Sequence, residues 1–383
     1  MYVTVFAVSL VFVIMFHEFG HYATAKLFGM KVERFFLGFG PTLWSLRRGE
    51  TEYGVKAIPA GGFVKIIGMN DFEEVDPADR DRTFSSKTPW RRAIVLAAGS
   101  ATHFVVAACL VFAALALVGL PNDDVPPTST IGLVVAGSPA AGAGLSPGDR
   151  IVAVDGRAVR DFEQVRSALR TRGGEPVALT LARDGVRREV EVVLDERDPD
   201  GRPGGFLGVG PKLVVETLPP GDALRGVFAG DYSVPRVTAV TLSGLGQVFS
   251  PAALSRWFSS IDDPGPRDPN GPVSLVGAGQ LVNSAGSGGD IFAVLLILAQ
   301  LNIVLGTLNM LPLPPLDGGH LAVMLIEEGV NAVRRLRGRS ASWRVDPAVI
   351  TPVALVVILF FVALSFTALY VDIVKPASDL LRQ

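Results

Sequence analysis

The sequence predicts a polytopic α-helical membrane protein of about four transmembrane helices, with a membrane-associated β-hairpin and an inserted α+β domain. Three observations carry this. The 383 residues are 49% hydrophobic with mean hydropathy +0.40, high for a soluble chain. Four apolar stretches, roughly residues 1–28, 93–120, 291–311 and 349–371, reach the about 20 residues that span a bilayer. Between the second and third lies a polar stretch of short Val- and Leu-rich runs broken by Gly and Pro, the pattern of strands and turns.

The first stretch has no basic leading region and no clean small-residue cleavage site, so a retained span is expected. Arginines set the orientation. Arg47, Arg48, Arg91 and Arg92 lie between spans one and two, and Arg334, Arg335, Arg337 and Arg339 between spans three and four. Both loops are expected in the cytoplasm, and the segment between spans two and three outside. The net charge of −2 gives no footprint for nucleic acid. The single cysteine, Cys109, excludes an intramolecular disulfide framework.

In chain order, residues 1–120 form the first half of the membrane domain. Within them "TEYGVKAIPAGGFVKIIGM", about 51–69, reads as a hairpin turning at its Pro-Ala-Gly-Gly break. A sheet edge cannot face lipid, so this hairpin must be buried or line a cavity. Residues 128–213 read as a small α+β module, ending near the charged turn "DPDGRPGG". Residues 214–290, rich in Gly, Ser and Pro, are expected to be an outer linker with segments peripheral to the membrane. Residues 291–383 complete the membrane domain.

The chemistry lies in the first span. His17-Glu18-Phe19-Gly20-His21 is H-E-x-x-H. At 3.6 residues per turn the two imidazoles share one helix face and reach one metal ion, with Glu18 beside them as a base. A carboxylate near a helix centre in lipid costs about 2.5–3.5 kcal/mol on insertion scales, so a purely structural role is disfavoured. A zinc site needs a third protein ligand and an open position. "NMLPLPPLDGGH" follows the third span, and its prolines stop the helix ahead of Asp317. Asp317 is either the third ligand or a helix N-cap. From Met1 to His17 is about 24 Å of helix, and from Asp290 to Asn309 about 28 Å, so both motifs reach the cytoplasmic third of the membrane. Asn309 is either a donor to a developing oxyanion or a helix cap. His320, just beyond the turn, could reach the metal but reads rather as a surface residue or one that supports the ligands. His103 is either a packing residue or an orienter of the metal site.

These residues resemble the bacterial site-2 proteases, a family of intramembrane zinc metalloproteases. H-E-F-G-H at 17–21 is similar to the family's zinc helix, "NMLPLPPLDGG" at 309–319 to its N-x-x-P-x-P-x-L-D-G motif, and "GFVKIIGM" to its membrane-associated β-loop. "SPAAGAGLSPGDRIVAVDG" resembles part of a PDZ domain, in the single-PDZ branch of the family. Many members have Asn where this chain has His103.

The resemblance implies one zinc ion per chain on His17, His21 and Asp317, with Glu18 as general base and Asn309 assisting the transition state. It implies transmembrane protein substrates such as anti-sigma factors, pre-trimmed by another protease, and a multi-pass protein of the bacterial cytoplasmic membrane with the PDZ domain outside. Peptide C-termini are expected near Gly132, Leu133 and Val134 by strand addition. Gly62 to Gly68 is expected to form an edge strand, with Gly62, Phe63, Val64, Lys65 and Ile66 binding unwound substrate. Two alternatives stand beside this reading: a PDZ-bearing scaffold with a dead metal site, which should lack a ligand or the base, and a transporter, which should show paired repeats.

Overall fold

The computed structural model describes all residues except 70–73, 123–124, 136, 199–202, 262–264, 266, 269–270, 288, 341 and 382–383. Half of the "DPDGRPGG" turn, residues 199–202, therefore lies outside the described residues.

The chain opens with α1 (Tyr2–Leu27), then β1 (Val32–Arg48), β2 (Thr51–Ile66) and α2 (Pro89–Ala113), which a π-helical turn extends to Val118. β3 (Leu120–Pro121), β4 (Ile131–Val134), α3 (Pro139–Gly142), β5 (Arg150–Val154), β6 (Arg157–Ala158), α4 (Phe162–Leu169), β7 (Pro176–Arg183) and β8 (Val186–Val193) follow. Four short strands complete that region: β9 (Asp195–Arg197), β10 (Pro203–Phe206), β11 (Val209–Pro211) and β12 (Val215–Glu216). The remainder is helical: α5 (Pro220–Phe228), α6 (Val234–Val248), α7 (Pro251–Ser260), α8 (Leu275–Ser287), α9 (Ile291–Asn309), α10 (Asp317–Leu336) and α11 (Pro347–Val374).

α1, α2 with its extension, α9 and α11 are each long and apolar enough to cross a membrane, close to the four expected stretches. α6 and α7, bent by 71° where they meet, pass the same test only as a pair. Residues 214–290, expected to be an outer linker with peripheral segments, carry regular structure along much of their length. They hold four helices, α5 to α8, hidden from a sequence reading by the Gly, Ser and Thr scattered through them.

The hairpin also differs from expectation. It starts at Val32, not near residue 51, and its tight turn is at Gly49 (φ +63). β2 runs on through Gly61 and Gly62 to Ile66 instead of turning there. Arg34–Leu37 form the middle of the sheet. They pair antiparallel with Gly62–Lys65 on one side, and on the other they run in the same direction as Glu52–Val55, from Arg34 opposite Glu52 to Leu37 opposite Val55. Trp44–Arg48 close the far edge against Thr51–Val55. β1 was unreadable because Gly38, Gly40 and Pro41 look like breakers. Both glycines take positive φ, +86 and +84, so the strand bends there without ending. Gly62–Ile66 lies at the other edge, as expected, but the strand stops before Gly68, which turns against Thr83.

Two compact units emerge. One comprises residues 1–112, 225–283 and 295–380, and the other 113–224, 284–294 and 381–383. The second contains a four-stranded sheet in the order β6-β5-β7-β8. Its core is Ile131, Ile151, Leu179, Leu181 and Leu194 with smaller neighbours, alternate strand positions facing inward. α4 supplies Phe162, Val165 and Leu169 at helical spacing and starts on Asp161, whose carboxylate accepts from the Gln164 N–H. Asp149, 1% exposed, receives both arms of the Arg183 guanidinium at 2.5 and 2.7 Å. That guanidinium holds the Asp149 carboxyl below the usual carboxylate range. β4, holding Gly132 to Val134, pairs along one edge with β11.

Candidate metal centre

Glycine brings the helices of the first unit close enough to build a site. A Cβ on Gly20 of α1 would lie 2.5 Å from the Ala98 carbonyl oxygen of α2. A Cβ on Gly306 of α9 would lie 3.0 Å from the His103 Cβ. Close backbone approach at small residues is how helices associate in lipid, where burying apolar surface gives no drive. Between α1 and α2, Gly99 leaves room for the two histidines. A Cβ there would fall 2.2 Å from His21 Nε2 and 2.7 Å from His17 Cε1.

Into that space α1 projects His17 and His21 from one face. The His21 Nδ1–H donates to the Val95 carbonyl at 2.7 Å, which turns its Nε2 lone pair inward. His17 Nε2 stands 3.3 Å away. Asp317 arrives from the far end of the chain. α9 stops at Asn309, the turn with Pro312, Pro314 and Pro315 follows, and Asp317 opens α10. Leu316, not Asp317, occupies the N-cap position, so the cap alternative fails and the carboxylate is free to face the histidines. Asp317 Oδ2 lies 3.4 Å from His17 Nε2 and 3.3 Å from His21 Nε2, and Ser100 Oγ reaches the same oxygen at 3.4 Å.

The three donor atoms form a nearly equilateral triangle, a poor arrangement for three lone pairs with nothing between them. A tetrahedral zinc ion at about 2.0–2.1 Å from each donor separates its ligands by about 3.3–3.4 Å. Two imidazole nitrogens and one carboxylate oxygen are also the donor set of catalytic zinc, which leaves a fourth position open. The residues fit the ion.

Glu18 points elsewhere on α1 and lies against β2, its Cγ 3.0 Å from where a Cβ on Gly62 would sit. An antiparallel strand turns alternate amides to opposite edges, so the amides of Gly62, Val64 and Ile66 face away from the Arg34–Leu37 arm. The free edge of the sheet therefore lies beside the Glu18 carboxylate.

His103 is buried, its ring 5.1 Å from that of His17. Its Nδ1 lies 3.3 Å from Asn302 Oδ1. Asn302 donates its own Nδ2 to the Leu298 carbonyl at 2.9 Å, which fixes the amide with its oxygen toward the imidazole. His103 thus packs against the site as well as within the bundle. Asn302 was missed from sequence, although an amide inside the apolar run "LAQLNIVL" is itself a signal. Asn309 is half-buried at the last position of α9, and His320 is exposed, as read from sequence.

Relatives match most of the sequence. The model of peptidase family M50 matches residues 5–353. The zinc metalloprotease Rip1 of Mycobacterium bovis (strain BCG / Pasteur 1173P2) is 35% identical over 98% of this chain and 97% of its own. Rip1 of Mycolicibacterium smegmatis is 34% identical over 98% of each. A putative zinc metalloprotease of Nostoc sp. is 33% identical over 82% of this chain and 83% of its own. Over 23% of this chain, and 90% of theirs, the coordinates of the PDZ domain of an SdrC-like protein from Listeria monocytogenes are similar, with 22% identity and a TM-score of 0.20. With full-length relatives named as zinc metalloproteases and apolar helices of spanning length, this membrane protein belongs to peptidase family M50, the site-2 protease family, and is a zinc metalloprotease.

Proposed function

We propose that the chain cuts transmembrane protein substrates inside the bilayer, holding one zinc ion on His17, His21 and Asp317. The observation that carries this reading is the proximity of Glu18 to an open strand edge. Glu18 is next in sequence to His17 and its side chain lies against Gly62 of that edge, so the base and the edge address the same bound segment.

A helical substrate hides its scissile carbonyl behind its own hydrogen bonds. Unwinding it in lipid exposes amides and carbonyls, each at several kcal/mol unless a partner replaces the lost bond. Gly62, Val64 and Ile66 supply those partners from the backbone, with Phe63 and Lys65 holding the ladder to Arg34–Leu37. The strand edge thereby holds the segment extended with its carbonyl toward the donor triangle. Bound there, zinc acts as a Lewis acid and lowers the pKa of water to about 7. Glu18 takes the proton of the attacking water and returns it to the leaving amide nitrogen. Asn309 donates to the oxyanion from the end of α9. His21 is kept in its Nδ1–H tautomer by Val95, which leaves the Nε2 lone pair for the metal, and His103 packs on His17 and restricts its ring.

The reading extends to the rest of the chain. Residues 128–213 act as a PDZ domain outside the bacterial cytoplasmic membrane, where β4, with Gly132, Leu133 and Val134, takes substrate C-termini by strand addition. Anti-sigma factors already trimmed by another protease are the substrate class proposed. The complete donor set with Glu18 speaks against a dead scaffold. The test is cleavage of a single-span substrate in lipid vesicles, followed by mass spectrometry. The parent should cut within the apolar span and Glu18→Gln should not, with equal zinc in both. Cleavage by Glu18→Gln at the parental rate would refute the assignment.

A further inference from the structure

α10 joins the metal centre to an arginine cluster. Asp317 is its first residue, and Arg334, Arg335, Arg337 and Arg339 lie in its last turn or just beyond. One face of the helix is packed. Met324 is buried in a cluster with Ala25, Met30 and Leu96, Leu321 lies against it, and Glu328 pairs with Arg92 of α2 at 3.4 Å.

A second face carries an apolar stripe with no protein over it. Leu325, Ile326, Val333 and Leu336 are 57%, 55%, 46% and 89% exposed. With Gly329 they recur every three or four positions, which is one side of an α-helix. The stripe starts soon after α9, a span that ends at Asn309. An apolar stripe flanked by arginines at the end of a membrane span has the composition of a helix lying in the headgroup layer. Four arginines within six residues complement anionic headgroups.

We infer that α10 docks on a bilayer surface of anionic phospholipid, and that this docking sets how Asp317 sits in the metal centre. The coupling is mechanical. A Cβ on Gly318 or Gly319 would lie 2.3 and 2.4 Å from the backbone of Met310 and Pro314 respectively, so the turn and the start of α10 move as one body. A tilt imposed at Leu336 reaches Asp317 over about 28 Å of continuous helix. This inference rests on reading His17, His21 and Asp317 as the zinc ligands.

The test uses the full-length chain with Cys109→Ala and Leu336→Cys, labelled at the new thiol with a fluorophore. It is reconstituted in phosphatidylcholine vesicles, with or without phosphatidylglycerol. Headgroup spin-labelled lipid reports docking by quenching, and chelator competition reports zinc affinity. Phosphatidylglycerol should increase quenching and tighten zinc by about 5-fold or more, the lower end of allosteric couplings. Arg335→Gln, Arg337→Gln and Arg339→Gln together should remove both responses, and the matching lysine triple should restore them. High salt should weaken the docking. Unchanged quenching, quenching without a change in zinc affinity, or concentration-dependent dimers cross-linked through the 336 thiol would each overturn the inference. Failure to bind zinc in either lipid would instead refute the ligand assignment on which it rests.

Discussion

Gly99→Ala is the sharpest perturbation of the metal site, because it touches neither a ligand nor Glu18. The new Cβ would sit 2.2 Å from His21 Nε2 and 2.7 Å from His17 Cε1. A carbon and a nitrogen in van der Waals contact are about 3.5 Å apart, so something must yield by about 1 Å. His21 cannot rotate away without breaking its 2.7 Å bond to Val95. Metal sites tolerate about 0.2 Å of error in ligand distance, so a shift of this size removes a ligand in effect. Loss of outer-shell support alone weakens zinc by about 10–100-fold, and losing the ligand itself should exceed the upper figure. Gly329→Ala on α10, where the added Cβ meets nothing within 4 Å, is the control and should leave zinc unchanged. Chelator competition on detergent-purified protein, with circular dichroism to confirm equal helix content, decides the matter. Zinc affinity within 3-fold of the parent in Gly99→Ala would show that the histidines are not confined as described.

Three further outcomes are expected. Val64→Pro should abolish cleavage while zinc stays bound, because it removes an amide from the free edge beside Glu18; Lys65→Pro should instead break the ladder to Arg34 and loosen the sheet by hydrogen exchange. Equal behaviour of the two would contradict the assigned edge. Deleting residues 128–213 should permit cleavage of a substrate with its ectodomain intact, and a trimmed substrate cut normally alongside an uncut intact one would place the gate elsewhere. Asp149 has a lowered folded-state pKa, so its stabilisation is full above the unfolded value of about 3.9 and is lost as pH falls through the folded value. Amide exchange in β5 and β7 should therefore speed up below about pH 4. Arg183→Gln should weaken that sheet at pH 7 and flatten the acid response, because the buried Asp149 carboxylate loses its partner. An unchanged acid profile in Arg183→Gln would refute the pairing.

What was legible in the sequence follows the strength of each physical signal. Spans announce themselves by length, and the four stretches agree with α1, α2, α9 and α11 to within a few residues. H-E-x-x-H carries its own geometry, since the helical period alone puts His17 and His21 on one face. Asp317 reads from sequence as ligand or cap, because one carboxylate after a proline turn serves either role; in the fold it stands within 3.4 Å of both histidines, with Leu316 at the cap position. The sheet was misplaced because strand pairing is non-local. Nothing within residues 51–69 reveals that Val32–Leu37 lie between its two ends. The helices within residues 220–287 were not legible for the opposite reason, as they take stability from packing on neighbours more than from their own composition. The role of Gly99 could not be read at all, since a glycine is informative only once its neighbours are known.

The central claim is that three side chains, two from α1 and one from α10, hold one zinc ion. Elemental analysis of metal per chain tests it most directly, on the parent and on His17→Ala, His21→Ala, Asp317→Ala and Glu18→Gln purified side by side. The account predicts one zinc in the parent and in Glu18→Gln, and its loss from each of the other three. Full zinc in Asp317→Ala, with only about 1 kcal/mol lost in thermal stability, would mean that the carboxylate merely serves the helix start, and would contradict the account.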